Sequence, residues 1–353
     1  MSSPALSSTP LHPSVDSVFM RACRREPVPY TPIWLMRQAG RYMAEYRAVR
    51  AKTPMLDLCK SPELVAEVTT FARRRIGVDA AILFADLLLI VESLGLKLTF
   101  AAGEGPVIEP PVRDGKAVDA LLEVDPDSLQ YVYDAVKATR AALEPEIPLI
   151  GFAGAPFTVA SYLIEGQGSR HFEHTKALMY GNEGAWHALM EKLVRGTIGY
   201  LNRQAEAGCQ VLQIFDSWVG ALSPSDYRRY VAPHVAHMIA GLTPGVPVIH
   251  FGTGTGALLA DMKKAGGHVI GLDWRVDLGP TWDALGKDVA VMGNLDPLTL
   301  LGPPEVMERE TRRILAEAKG RIGHVFNLGH GILPATPVDN VVRLVDLVHE
   351  ATR

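Results

Sequence analysis

The stretch Val211-Leu212-Gln213-Ile214-Phe215 is followed directly by Asp216 and Ser217, and this succession is the clearest indication of the fold. The run is almost continuously apolar, as is typical of a strand buried on both faces of a parallel sheet. Six further apolar runs of this kind occur along the chain: Ala80–Phe84, Pro148–Phe152, Pro247–Phe251, His268–Leu272, Val289–Met292 and His324–Phe326. The sequence therefore predicts seven buried parallel strands.

Helical patterns separate these runs, for example at Ala257–Ala265 and at Glu305–Lys319, the latter ending at Gly320. Alternation of strands and helices favours a parallel α/β fold. An eighth strand at Thr31–Met36 would complete a barrel, although Pro32 weakens that assignment because proline lacks a backbone N–H.

Polar residues gather just after the predicted strands, and the carboxyl ends of barrel strands meet on one face. These residues are Asp86, Asp216, Ser217, His250, Asp273, Asn294, Asp296, Asn327 and His330. We therefore predict an α/β fold, a single (β/α)8 TIM-type barrel with its active site at the C-terminal ends of the strands. An open doubly wound sheet is the alternative, in which only the switch point would be functional.

Composition sets limits on the rest of the chain. Residues 16–353 are predicted to form one barrel domain, and residues 1–15, rich in Ser and Pro, a flexible leader without the features of a signal peptide. The net charge of -4 argues against a general nucleic-acid binder. Three widely spaced cysteines indicate a reducing cytoplasm, and Asp86 and Glu92 interrupt the most apolar stretch, which argues against a membrane span.

Cations are concentrated between residues 37 and 52, where five basic residues accompany the single acid Glu45. Arg37 and Arg41 are four residues apart, so on a helical turn they would share one face. The planar fork of arginine suits bidentate recognition of carboxylates. The alternative is an exposed, solvated basic helix. The apolar neighbours of Arg37 argue against it, because they predict a partly buried side chain.

Four further side chains are candidates for ligand contacts, and three of them have a structural alternative. Asp86 lies in an apolar run, where it either caps the next helix or stabilises a cation formed during a reaction. Tyr162 either holds a ligand carboxylate or is a core tyrosine. Ser217 has no Gly-x-Ser-x-Gly surroundings and is a poor hydrolase nucleophile. His330, between two glycines, is a ligand contact or a structural histidine.

A competing motif lies at Gly252-Thr253-Gly254-Thr255-Gly256-Ala257, which fits Gly-x-Gly-x-x-Ala between a strand and a helix. Asp273 follows 21 residues after Gly252, so the segment also fits a dinucleotide-binding loop. Three strand units precede it, whereas such loops usually open a domain. The sequence has no Cys-x-x-Cys pair, and Gly252 stands where a His250-x-Cys zinc pair would need its thiolate.

Several of these segments together resemble the uroporphyrinogen decarboxylase family. The similarity lies in residues 37–42, 151–166, 271–274, 293–297 and 326–332, and it runs in the same order from about Thr31 to the C-terminus. The resemblance implies a (β/α)8 barrel, a homodimer, no cofactor and no metal. It also implies conversion of uroporphyrinogen III to coproporphyrinogen III by loss of four acetate carboxyls, with the tetrapyrrole as the small-molecule partner.

The resemblance also implies roles for individual residues. Residues Arg37, Gln38, Ala39, Gly40 and Arg41 would form a substrate-binding segment, Asp86 would bind the pyrrole nitrogens and stabilise the transition state, and Tyr162, Ser217 and His330 would contact substrate. Asp86 and Arg37 are the predicted catalytic residues, and the proton donor stays open because an arginine gives up a proton reluctantly. Two other readings remain, an NAD-dependent oxidoreductase using Gly252 and Gly254 and a catalytically inactive tetrapyrrole-binding barrel.

Overall fold

A computed structural model describes residues 13–101 and 105–353. Residues 1–12, most of the predicted leader, lie outside the described residues. The last residues of the predicted leader, 13–15, belong to the 3-10 turn Pro13–Asp16. Helix α1, Val18–Cys23, follows, and the Ser17 side chain caps it by accepting a hydrogen bond from the Met20 N–H at 3.3 Å.

Seven parallel strands form the main sheet in the order β1-β4-β5-β6-β7-β8-β9. Their bounds are β1 Ala81–Ile82, β4 Leu149–Gly154, β5 Val211–Asp216, β6 Val248–Gly252, β7 Val269–Gly271, β8 Ala290–Met292 and β9 His324–Val325, while β2 Lys97–Ala101 and β3 Gly105–Glu109 lie outside this sheet. Each of the seven predicted runs overlaps one of these strands, and β4, β5 and β6 extend one or two residues past the end of their runs. Strands β4 and β6 are buried along their whole length, as continuous apolar runs require.

The segment around Ile33 joins the two ends of this sheet. Ile33 forms a parallel bridge with Phe326, and the Phe326 N–H donates to the Pro32 carbonyl at 2.8 Å. On the other side, the Asp79 N–H donates to the Ile33 carbonyl at 2.8 Å, just before β1. The predicted eighth strand is therefore confirmed in position and closes a barrel. Its ladder is short because Pro32 has no N–H to donate.

Helices connect successive strands. They are α2 Ala44–Arg50, α3 Met55–Cys59, α4 Pro62–Ile76, α5 Ile90–Ser93, α6 Gly115–Ala120, α7 Gln130–Ala142, α8 Pro156–Glu165, α9 Glu173–Gly181, α10 Glu183–Ala207, α11 Pro224–Asp226, α12 Ala232–Ala240, α13 Leu259–Ala265, α14 Leu278–Leu285, α15 Pro304–Ala318 and α16 Val338–Thr352. The predicted open doubly wound alternative was wrong, because the sheet closes on itself through Ile33.

One element departs from the predicted parallel pattern. Strands β2 and β3 pair antiparallel, with Leu98 opposite Ile108, and form a two-stranded sheet of their own between β1 and β4. Leu98 and Ile108 are buried, so this hairpin adds apolar surface to the common core. Within the described residues, none of the helices is long and apolar enough to cross a membrane.

Candidate active site

Arg37 lies in the loop that follows the barrel-closing segment. Arg37 and Arg41 would share one face on a helical turn, but residues 36–43 are turns and bends, and helix α2 begins only at Ala44. Arg37 has φ of +62°, a left-handed conformation that a helix cannot contain. Its side chain is exposed, not partly buried as its apolar neighbours had suggested. Both arginines therefore stand at the open end of the barrel without a common helical face.

Hydrogen bonds across the barrel closure hold this loop in place. The Met36 N–H donates to the Asn327 Oδ1 at 3.2 Å, and the Ile332 N–H donates to the Met36 carbonyl at 2.9 Å. As a result, the Arg37 side chain lies along the backbone of Gly331, where an added Cβ would come within 2.6 Å of Arg37 Cγ. The absence of a side chain at Gly331 leaves the space that the Arg37 side chain occupies.

Asp86 follows β1 and is half-buried. Its Oδ1 accepts a hydrogen bond from the Leu88 N–H at 2.9 Å, so the predicted capping role is present on one oxygen. Burial raises the pKa of Asp86, while the Leu88 N–H and the positive charge of Arg37 act to lower it. Because a charge acts on a carboxyl pKa mainly at short range, Asp86 and Arg37 lie near each other, and the space that these two side chains border is called the cleft below.

Tyr162 faces the same cleft from helix α8. Its pKa is raised to about 12, mainly by burial and also by the Asp86 charge, while the Arg37 charge acts to lower it. Its ring packs on Trp218 with centroids 3.8 Å apart. Ser217, the residue between β5 and Trp218, is half-buried. The stack therefore ties the residues after β5 to the α8 side of the cleft.

His330 completes the cleft from the loop after β9. Burial lowers its pKa, and the positive charges of Arg37 and Arg275 lower it further. The Trp274 ring meets the His330 ring edge-on, with centroids 6.2 Å apart. The imidazole is therefore kept neutral, able to donate from one nitrogen and accept at the other.

The other members of the predicted substrate-binding segment differ in exposure. Gln38 is fully buried, and neither end of its amide has a hydrogen-bond partner among the described residues. Ala39 is half-buried and Arg41 is exposed. An added Cβ on Gly40 would lie 3.0 Å from the Arg37 carbonyl oxygen, so the turn is tight. Only the two arginines present charged groups at the surface of this segment.

The Gly252–Ala257 loop is held by its own protein partners. Asp273, which a dinucleotide site would turn to a ribose, instead accepts hydrogen bonds from the Gly254 N–H, the Arg275 N–H and the Arg275 guanidinium. An added Cβ on Gly252 would lie 3.0 Å from the Asp216 carbonyl oxygen, which explains the glycine through close packing. This geometry favours a barrel turn over a nucleotide site.

Metal-binding side chains are dispersed. Across residues 13–101 and 105–353, His, Cys, Asp and Glu nowhere gather in a group of three that could hold an ion. His250 is fully buried in β6, with its Nδ1 3.2 Å from the Gly266 carbonyl oxygen.

Comparison with known proteins identifies the family. A sequence model described as "Uroporphyrinogen decarboxylase (URO-D)" matches residues 15–351. The chain belongs to the uroporphyrinogen decarboxylase family. A protein of Sorangium cellulosum named uroporphyrinogen decarboxylase is 55% identical over 337 residues, which cover 95% of this chain and 96% of the relative. A protein of Carboxydothermus hydrogenoformans with the same name is 52% identical, covering 95% and 97%. The predicted family is confirmed.

Solved structures show how widely the barrel of this uroporphyrinogen decarboxylase family member is shared. A methyltransferase from Methanosarcina mazei superposes with a TM-score of 0.77 at 21% identity, covering 96% of this chain and 99% of that one. A putative vitamin-B12 independent methionine synthase from Listeria monocytogenes gives 0.57 at 12% identity, covering 92% and 98%. At such low identities these likenesses concern the fold alone, and they confirm the predicted TIM-like barrel.

Two residues that the sequence placed after strands, but to which it gave no individual role, position the uroporphyrinogen decarboxylase cleft. Asn327, fully buried after β9, accepts from the Met36 N–H and so fixes the base of the Arg37 loop. Asn294 donates from its Nδ2 to the Asp273 carbonyl at 2.8 Å and to the Val276 carbonyl at 2.7 Å, holding the loop after β7. Both stand directly after strands, and amide side chains there are suited to satisfying loop backbone groups.

Proposed function

We propose that this chain converts the four acetate side chains of uroporphyrinogen III to methyl groups and so forms coproporphyrinogen III in haem biosynthesis. It is an enzyme of the carboxy-lyase class. The observation that supports this assignment beyond family membership is that Asp86 and Arg37, both in segments that follow strands of the barrel, lie near enough for the charge of Arg37 to act on the Asp86 carboxyl.

Decarboxylation of an acetate needs a place for the electron pair of the breaking C–C bond. Protonation of a pyrrole at a ring carbon gives an electron-poor iminium, and this ring can accept the pair as carbon dioxide leaves. Protonation of the exocyclic carbon then gives the methyl group, and the ring carbon loses its added proton. The net change replaces one carbon dioxide by one proton, so the substrate itself provides the electron sink.

Asp86 suits stabilisation of that cation. An anionic carboxylate can accept hydrogen bonds from pyrrole N–H groups and offset the positive charge that develops on the ring. One Asp86 oxygen is used by the Leu88 N–H, and the residue is only half-buried, so the carboxylate is open to a ligand. In a cleft from which a bound macrocycle excludes water, this interaction is stronger than in bulk solvent.

The remaining predicted residues suit recognition of a polycarboxylate. Arg37 and Arg41 are exposed and offer forked donors for carboxylates. In this scheme Tyr162, Ser217 and His330 contact the substrate through a phenol, a hydroxyl and a neutral imidazole, each of which can donate one hydrogen bond. Arg37 acts in this scheme as an anchor and an electrostatic group, because its guanidinium holds its proton too firmly for an efficient general acid.

The test is incubation of the purified protein with reduced uroporphyrinogen, followed by counting the carboxyl groups of the product. We expect a product with four fewer carboxyls and release of carbon dioxide. Tetrapyrrole binding without carbon dioxide would identify the inactive binding barrel instead. Calorimetric titration with NADH tests the oxidoreductase alternative. Binding with a micromolar dissociation constant would favour an oxidoreductase over a decarboxylase.

The homodimer, the independence from a cofactor, the cytoplasmic location and the leader at residues 1–15 stay predictions. Sedimentation of the purified chain over a range of concentrations measures the oligomeric state directly. Assay after exhaustive dialysis against a chelator measures any requirement for a metal ion.

A further inference from the structure

Arg275 lies at the carboxyl end of β7, two residues after the buried Asp273. Its side chain is 51% exposed, whereas that of Asp273 is 1% exposed. The arginine thus spans the distance between a buried carboxylate and the solvent at the face of the barrel where the cleft opens.

Two contacts fix the direction of this side chain. The Arg275 Nη1 donates to the Asp273 Oδ2 at 2.9 Å, and the guanidinium carbon lies 3.9 Å from the centroid of the Trp274 ring. A cation stacked on an indole face and held by a buried carboxylate is well ordered before any ligand arrives. Pre-ordering of this kind lowers the entropy cost of binding an anion.

The position of Arg275 relative to the cleft follows from its neighbours. Trp274, on which it stacks, meets His330 edge-on, and His330 is followed by Gly331, along which Arg37 runs. Arg37 and Arg275 therefore flank His330 from two sides, one from the loop after Ile33 and the other from the loop after β7. Both positive charges lower the pKa of the His330 imidazole, in keeping with this placement.

We propose that Arg275 is a second carboxylate anchor, which binds a peripheral carboxylate of the tetrapyrrole on the side of His330 away from Arg37. This inference rests on the proposed function. A macrocycle with acid groups around its whole rim needs cations on more than one side of the cleft, and the segment from Arg37 to Arg41 supplies only one side.

The competing explanation is that Arg275 only neutralises Asp273. Asp273 already accepts two backbone N–H groups, from Gly254 and Arg275, so the carboxylate is well satisfied without the full guanidinium. The guanidinium meets it through Nη1 alone, and its other N–H groups have no acceptor among the described residues. Arginine carries five such donors, so the outer edge of the fork is available to a ligand carboxylate.

The test is steady-state kinetics of Arg275→Gln with uroporphyrinogen at several salt concentrations. We expect KM to rise about tenfold, as for loss of one charge-assisted contact, with kcat changed by less than about twofold. We also expect the dependence of KM on salt to become less steep than in the wild type, because one ionic contact with substrate is gone. Loss of a purely structural ion pair would shift the unfolding temperature and leave this salt dependence unchanged.

Arg321→Gln is the matched control. Arg321 also stacks on a tryptophan, 4.4 Å from the Trp282 centroid, and pairs with the neighbouring Asp283 at 2.6 Å, but it precedes β9 at the opposite end of the barrel. We expect its KM and salt dependence to match the wild type. If Arg275→Gln folds poorly, the double variant Asp273→Asn with Arg275→Gln removes the unpaired buried charge and allows the same measurement.

The outcomes separate the two proposals. A wild-type protein that releases no carbon dioxide from uroporphyrinogen would overturn the proposed function. A wild-type protein that is active, together with a folded Arg275→Gln or double variant whose KM and salt dependence equal those of the wild type, would overturn the role of Arg275 alone.

Discussion

Asp86 and Asp216 stand at comparable places in the barrel, each just after an apolar strand segment, and burial raises the pKa of both. Their surroundings differ. Asp216 is fully buried, and its Oδ1 accepts from the Thr158 hydroxyl at 2.8 Å. Its Oδ2 has no partner among the described residues. Asp86 is half-buried, and the charge of Arg37 acts on it.

The difference separates the carboxyl that we propose as catalytic from one whose contacts lie within the protein. The Thr158 hydroxyl donates to Asp216 and accepts from the Trp218 N–H at 3.3 Å. These two hydrogen bonds join helix α8 to the residues at the end of β5. Asp216 is thus a structural tie behind the cleft. Asp86 combines an opening, a nearby cation and a free oxygen, which are what stabilisation of a substrate cation requires.

The largest expected difference between the two carboxyls is in activity. We expect Asp86→Asn to lower kcat/KM about 100-fold, roughly 2.7 kcal/mol of transition-state stabilisation, because the neutral amide cannot offset the cation on the ring. Asp216→Asn makes the same change of side chain at a carboxyl that holds its proton in the folded state, and it should keep most of its activity. Steady-state decarboxylation assays compare them, and equal losses in both variants would remove the distinction.

The pH profile of the free enzyme gives a second contrast. Because the pKa of Asp86 is raised, its anion is lost as pH falls through a value above that of an ordinary aspartate. We expect kcat/KM to fall about tenfold per pH unit below that point. This acid limb should persist in Asp216→Asn and vanish in Asp86→Asn. A limb that survives in Asp86→Asn would assign it to another group.

A variant that displaces the Arg37 guanidinium and leaves the Asp86 carboxyl unchanged tests the contribution of the nearby cation. In Gly331→Ala the new Cβ would lie 2.6 Å from Arg37 Cγ, so the arginine must move away from its place beside Asp86. We expect about a tenfold loss in kcat/KM from this misplacement. Gly181→Ala is the control, since nothing lies within 4 Å of its added Cβ. Activity of Gly331→Ala equal to that of the control would show that Arg37 needs no fixed position.

The smallest expected effect on activity comes from Asp216→Asn, whose effect is on stability. The pKa of Asp216 is raised from 3.8 to about 7 by burial, so the folded state holds a proton that the unfolded state releases. Between those values the free energy of unfolding should fall as pH rises, by at most roughly 1.4 kcal/mol per pH unit from this group.

Denaturant unfolding at several pH values between about 5 and 8 measures this contribution. We expect Asp216→Asn to gain stability relative to the wild type as pH rises through that window, because the amide has no charge to bury. A difference between variant and wild type that does not change with pH would contradict a buried, protonated Asp216.

The sequence was informative where one physical cause dominates. Strands buried on both faces must be apolar, so runs such as Val211–Phe215 were found, and parallel strands in a barrel must present their carboxyl ends together, so Asp86 and His330 could be assigned to one face. The hairpin of β2 and β3 was missed, although Leu98 and Phe100 alternate with Lys97 and Thr99 as a half-buried strand requires.

The Arg37 loop could not be predicted because distant residues determine it. Spacing suggested a helical turn, but hydrogen bonds to Asn327 and Ile332 hold Met36 in a tight bend, and Arg37 takes a left-handed conformation. Pairing of Asp273 with Gly254 and Arg275 likewise depends on which loops meet after β6 and β7. Local pattern does not contain such contacts, and the dinucleotide motif therefore stayed open as an alternative at the level of the sequence.

The bridge between Ile33 and Phe326 has a consequence for synthesis of the chain. The Met36 N–H and the Asn327 side chain that receives it are 291 residues apart. The guanidinium of Arg37 therefore has no support until nearly the whole polypeptide has left the ribosome. A chain cut short before Asn327 would retain Asp86 and Tyr162 yet lack the strand against which Arg37 is set, so under the proposed function we expect premature termination to yield an inert product and not a weakened enzyme.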